Sequence, residues 1–143
     1  MKKLHLAAGV LCALLLSAGL WIWAGRDPRA RVEARLAADL PQLTRVAQTL
    51  LAGGTAGPPT GWTGADVYGE SVCFDYRGWG FGASTSYWGV AYAPSDRPVG
   101  FQGLDMAGTD SSGDGWLWEE AGGDNRCYVE RLAPGWYYYE MRF

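Results

Sequence analysis

Histidine is almost missing from this chain: one residue in 143, His5. Ser-His and Cys-His nucleophile systems therefore lack their general base. Lysine is confined to Lys2 and Lys3, so every other basic residue is an arginine. Isoleucine occurs once, at Ile22, and cysteine three times, at Cys12, Cys73 and Cys127. Three cysteines are too few for a disulfide-built scaffold, so a hydrophobic core must hold the fold.

What the chain does have is one long apolar run. Residues 4–24, LHLAAGVLCALLLSAGLWIWA, carry no formal charge beyond what His5 can hold. As a helix the run would be roughly 31 Å long, the thickness of a bilayer's hydrocarbon core. It is longer than a secretory signal core, and Ser17 and Gly19 do not make an A-x-A cleavage site. Gly9, Val10 and Leu11 before Cys12 do not form a lipobox, which leaves Cys12 as a thiol buried in lipid. The expectation is a retained signal anchor over 1–25, a single transmembrane helix placing the protein in the cell membrane. Lys2 and Lys3 on one side nearly balance Arg26, Arg29, Arg31 and Arg35 on the other. The short preceding chain and the cysteine pair downstream tip the expectation toward a head outside the cytoplasm. Trp21 and Trp23 suit the distal membrane–water interface.

Charge divides the chain. Residues 1–61 hold seven Lys/Arg against three Asp/Glu, whereas 62–143 hold five Arg against twelve Asp/Glu. An acidic head would be repelled by phosphates, so nucleic acid is excluded as a partner. The expected partners are the membrane, through residues 4–24, and a protein or cell-wall component.

After the anchor, 26–52 reads as an amphipathic helix. Val32, Leu36, Leu40, Leu43, Val46, Ala47 and Leu50 recur at steps of three and four. Pro28 suits the start, while Pro41 predicts a kink or a break into two helices, with Asp39 as the second cap. The apolar stripe would pack on a sheet or, less economically, on a partner helix. Residues 53–61 open a Gly/Pro-rich linker.

From 62 to 143 the period changes to two, and this stretch holds 18 of the chain's 20 aromatic residues. Short strands are predicted at 71–76, 85–93, 99–102, 116–119, 126–132 and 135–143. Val72, Phe74 and Tyr76 share a face; so do Trp88, Val90 and Tyr92, and Tyr137, Tyr139, Met141 and Phe143. The predicted fold class is α+β: a transmembrane helix, a helix kinked at Pro41, then a small antiparallel sheet of about six strands. Aromatics on both faces of 135–143 suggest that the last strand is central.

Several groups of residues could carry chemistry. In an extracytoplasmic head, Cys73 and Cys127 favour a disulfide closing a loop of about 55 residues, worth about 4 kcal/mol. The alternative is two buried thiols. Asp110, Ser112 and Asp114, with Gly115 at the turn position, resemble the start of a calcium loop. The bidentate position falls on Ala121, leaving Glu120 as the nearest stand-in, and an Asp/Gly-rich β-turn explains the stretch as well. No other cofactor is expected. The run Gly78-Trp79-Gly80-Phe81-Gly82 precedes a strand, so it reads as a loop and not a phosphate cradle. Trp79, Trp116, Trp118 and Trp136 could stack sugars beside carboxylates, or fill the core. Glu119 and Glu120 could serve as a hydrolytic pair, though a head this small leaves little room for a cleft.

Tyr87-Trp-Gly-Val-Ala-Tyr-Ala-Pro-Ser-Asp-Arg-Pro98, Phe101-Gln102, Trp116-x-Trp118, Gly123-Asp-Asn125 and Trp136-Tyr-Tyr-Tyr139 carry a resemblance. Over most of 62–143 the chain resembles a group of small, single-pass membrane-anchored proteins of Gram-positive gut bacteria. The resemblance implies the same order of anchor, helix and β head, and it implies no activity or site. In that group Cys127 corresponds to a Gly-like position, so a disulfide is not implied family-wide. The expected function is that of a non-catalytic, membrane-anchored extracytoplasmic interaction module. The alternatives are a cell-wall glycan-binding module and, third, a small carboxylate-dependent hydrolase.

Overall fold

A computed structural model describes residues 27–81, 84–112 and 115–143, with the side chains of residues 110 and 112 outside that description. The apolar run at 4–24 also lies outside the described residues. Among those described, no helix is long and apolar enough to cross a membrane.

The first element, α1, is the helix Pro28–Leu51. Its start follows from two local features. Asp27 accepts a hydrogen bond from the Arg29 backbone N–H at 3.0 Å, and Pro28 occupies the first turn, where its missing donor costs nothing. The helix runs without interruption through Pro41, so the expected break there does not occur. Pro41 and Ala37, whose carbonyl loses its intrahelical donor, are both exposed, and water can satisfy that carbonyl. Asp39 caps nothing; it lies in mid-helix and accepts from Arg35 Nε at 2.5 Å and Trp62 Nε1 at 3.0 Å.

Seven strands follow: β1 Gly64–Tyr68, β2 Ser71–Phe81, β3 Ser84–Tyr92, β4 Asp110–Ser112, β5 Gly115–Glu119, β6 Arg126–Ala133 and β7 Trp136–Arg142. They form one antiparallel sheet in the order β1-β2-β3-β7-β6-β5-β4. The α+β class and the central last strand are therefore as the sequence suggests. β1 and β4 are additional to the predicted strands. The predicted strand at 99–102 is instead a bridge, Val99 with Asp105, followed by a turn at Phe101–Gly103. Gln102 and Gly103 there have φ of 51° and 75°, and two left-handed residues in succession turn the chain instead of extending it.

The alternation in the sequence sorts the core into two layers. On one face Val72, Phe74, Val90, Trp136 and Tyr138 pack against Val32, Leu36, Leu43 and Ala47 of α1. The helix stripe is thereby spent on the sheet and not on a partner. Trp62 and Pro59 are buried, and Arg35 donates to the Thr60 carbonyl, so the Gly/Pro-rich stretch is tied back onto the helix. On the other face Cys73, Ala91, Cys127, Val129, Tyr137, Tyr139 and Met141 pack under the β3–β4 connection, which contributes Val99 and Met106. Arg29 clamps the start of α1 to β6, donating to Glu130 through Nε at 3.0 Å and Nη2 at 2.5 Å.

Candidate functional site

The residues singled out by sequence do not converge. Cys73 on β2 and Cys127 on β6 face the same core layer, but β3 and β7 lie between their strands, and both thiols are free. Cys73 donates to the Gly100 carbonyl at 3.5 Å. A Cβ on Gly100 would stand 2.8 Å from the Cys127 sulfur, so the β3–β4 connection threads against both cysteines. The expected disulfide is corrected on that geometry. Burial pushes the Cys73 thiol up to about 12 and the Cys127 thiol up to about 11.

Residues 110–112 form β4 and pair with β5, with Asp110 opposite Leu117 and Ser112 opposite Gly115. The stretch read as a calcium loop is thus a β-hairpin. Asp114 falls outside the described residues. Glu120 follows the far end of β5, about 17 Å along an extended strand from Gly115, so the hairpin carries it away from the turn. Its backbone N–H donates to the Asn125 carbonyl at 2.9 Å, within the next turn.

The four tryptophans also separate. Trp136 is buried under α1, and Trp116 and Trp118 are half-buried against the opposite core layer. Trp79 alone is an open surface, 78% exposed. Glu119 and Glu120, adjacent in sequence, line none of the three cavities described below.

What the fold does assemble is a groove beside the β2–β3 hairpin. β2 continues five residues beyond the sequence prediction, because Asp75 pairs with Gly89 and Arg77 with Trp88, leaving Tyr76 as a bulge. The stretch read as a glycine-rich loop is therefore strand as far as Phe81. Beyond the bulge, Arg77, Trp79 and Phe81 share one face and sit opposite Trp88, Ser86 and Ser84. Pro28 and Arg31 at the start of α1 close the other wall, and the groove encloses about 580 Å³.

Its chemistry is aromatic and cationic. The Arg77 guanidinium lies 5.7 Å from the centre of the Tyr76 ring. Trp88 lines the groove with other parts of its ring, while its Nε1 is buried without a hydrogen-bond partner among the described residues. Trp79 and Phe81, 78% and 96% exposed, extend the row past the end of the helix. Among the described residues that line it there is no carboxylate. Sequence reasoning singled out Trp79 but not Phe81, Arg77, Trp88 or Arg31. The available signal was the alternation of glycine and aromatic residues in 78–82, which gives the large rings no large neighbours on their own strand.

Two smaller cavities open elsewhere on the described surface. One of about 220 Å³ runs along the β1–β2 turn and the start of the β3–β4 connection. The other, about 190 Å³, brings together Asp66, Asp75, Tyr68 and Gln102. Asp75 is occupied there by the Tyr139 hydroxyl, which donates to it at 2.5 Å. No protein family, curated protein or solved structure matches the chain.

Proposed function

We propose that the chain is a single-pass, membrane-anchored interaction module without catalytic activity, its head outside the cytoplasm and its contact surface the groove beside the β2–β3 hairpin. One observation carries the reading: two large aromatic side chains, Trp79 and Phe81, stand uncovered beside a groove lined by Tyr76, Arg77 and Trp88. Scattered exposed apolar residues are ordinary, but a row of them bordering a polar groove marks a contact surface. The anchor rests on the uncharged run at 4–24, flanked by Lys2 and Lys3 and ending in Trp21 and Trp23. With the thiols free, the cysteine pair no longer favours either side of the membrane, and Lys2 and Lys3 nearly balance the arginines beyond the run, so the labelling experiment that follows decides the side.

Intact cells expressing a Cys12→Ala/Ser95→Cys chain test the reading. Ser95 is exposed in the turn after β3, while Cys73 and Cys127 are buried. An impermeant maleimide should label position 95 before lysis, and the chain should stay with membranes through alkaline carbonate washing. Labelling only after lysis places the head inside, and release by carbonate removes the anchor.

A second reading follows from the same groove. An exposed indole beside an exposed arginine could stack a pyranose and hydrogen-bond its hydroxyl, as a cell-wall glycan binder would. Retention on purified peptidoglycan that is lost on Trp79→Ala would favour it over a protein partner.

A further inference from the structure

The groove lies at one corner of the molecule, and the anchor reading fixes what is near that corner. Pro28, the first residue of α1, lines the groove together with Trp79. Only three residues separate Pro28 from Ala24, the end of the apolar run. Four chain steps span at most about 14 Å, so a run seated in a bilayer holds the hairpin tip against the bilayer surface. The tip presents there what an interface takes up: an indole and a phenyl ring at the end of a strand, with arginines set behind them.

We infer that the tip of the β2–β3 hairpin is a second membrane contact, in which Trp79 and Phe81 enter the headgroup–acyl boundary while Arg31 and Arg77 face lipid phosphate. This deepens the preceding section and rests on its reading of residues 4–24 as an anchor; it holds for either side of the membrane. The sheet geometry limits the contact to one corner. Along the same end of the sheet the order is β2, β3, β7, β6, β5, so the acidic β5–β6 turn with Glu119, Glu120 and Asp124 lies across three strand spacings. Two short anchors also do what one cannot: they fix the head's tilt and stop it rotating about the single connection at residues 25–27.

The test uses the full chain in phosphatidylcholine/phosphatidylglycerol vesicles. Phe81→Cys, with Cys12→Ala, carries an environment-sensitive fluorophore at the tip; Ser95→Cys, in the same background, carries it at the opposite end of β3. Phe81 is 96% exposed, so its replacement leaves the core intact. Vesicle flotation reads the anchor separately. The expected result is that both labelled chains float, that the probe at 81 shifts to the blue and loses about half its intensity to lipids carrying a shallow spin label, and that the probe at 95 does neither. Flotation with no lipid quenching at 81 overturns the second contact while the anchor stands. A probe at 81 shielded from aqueous iodide yet untouched by the lipid quencher assigns the tip to protein, either a second copy or this chain's own apolar run, and also overturns it. Failure to float overturns the anchor and the second contact together.

Discussion

The inner and outer halves of β2 contain the same kinds of residue in opposite surroundings. Ser71–Phe74 are all buried, and everything from Arg77 to Phe81 is exposed, although Trp79 and Phe81 are as large and apolar as Phe74. The difference comes from what lies across the strand and above it. The inner half has β1 and β3 on either side, α1 over one face and the β3–β4 connection over the other. The outer half has β3 alone, because β1 begins opposite Asp75. Burial in a sheet is thus set by neighbours arriving from elsewhere in the chain, and the bulge at Tyr76 marks where they stop.

The sharpest way to break the comparison is to remove one aromatic from each half. Phe74 is fully buried, with Trp62 at 6.2 Å and Trp136 at 5.9 Å between ring centres. Phe74→Ala should cost about 3–5 kcal/mol in a urea titration, the lost transfer free energy plus the cavity left behind. Trp79→Ala should change stability by no more than about 0.5 kcal/mol, because no part of the described fold covers its side chain. Equal losses would mean that the hairpin tip is packed against something other than solvent.

The boundary between the halves is held by Tyr139, and its removal should have the next largest effect. The hydroxyl, buried in the centre of the sheet, donates to Asp75 at 2.5 Å and approaches the Phe74 carbonyl at 3.3 Å. Burial, and Asp75 after it, hold its pKa well above the usual tyrosine value, so it remains a donor across the physiological range. It occupies the space that a side chain at 89 would need. A Cβ on Gly89 would collide with the Phe74 carbonyl and the Tyr139 ring, so glycine alone lets tyrosine reach across β3 to β2. Tyr139→Phe should cost about 1 kcal/mol, small because half-buried Asp75 can take a water in exchange. A loss as large as that of Phe74→Ala would show that the bond carries the strand's register and not merely one donor.

Much of the inner half was legible in the sequence. The alternation of Val72, Phe74 and Tyr76, of Trp88, Val90 and Tyr92, and of Tyr137, Tyr139 and Met141 names both core layers correctly, because a period of two is a local property. Aromatics on both faces likewise placed β7 at the centre of the sheet. Strand order was not legible, and the cysteine pair shows the consequence: nothing near Cys73 or Cys127 says that two strands will lie between theirs. The continuous helix was illegible for a related reason. Pro41 costs the helix least where the freed carbonyl can reach water, and that depends on which side the sheet takes. The groove depended on a bulge at one residue and on the approach of Pro28, neither of which has a local signature. Trp79 was visible as an aromatic, but not as an exposed one.

The smallest effect separates the hairpin corner from the opposite end of the sheet by pH. There Asp96, left-handed at φ 53°, accepts from Arg131 Nη2 at 2.5 Å, from the Gly135 backbone N–H at 2.7 Å and from the Tyr137 hydroxyl at 2.9 Å. These bonds, that of Arg131 first, hold its carboxyl at about 2, below the ordinary 3.8. A carboxylate whose pKa is lower folded than unfolded contributes its stability in full above the unfolded value and loses it as pH falls through the folded one. The gap in melting temperature between wild type and Asp96→Asn should therefore stay constant from neutral pH down to the ordinary carboxyl range, then shrink as pH approaches about 2. The small gap for Trp79→Ala should show no such acid limb, since the groove residues Pro28, Arg31, Tyr76, Arg77, Gly78, Trp79 and Trp88 include no carboxylate. An Asp96→Asn gap undiminished at pH 2 would mean that the aspartate acts through hydrogen bonds its neutral carboxyl keeps and not through its charge, since asparagine tolerates the left-handed backbone equally.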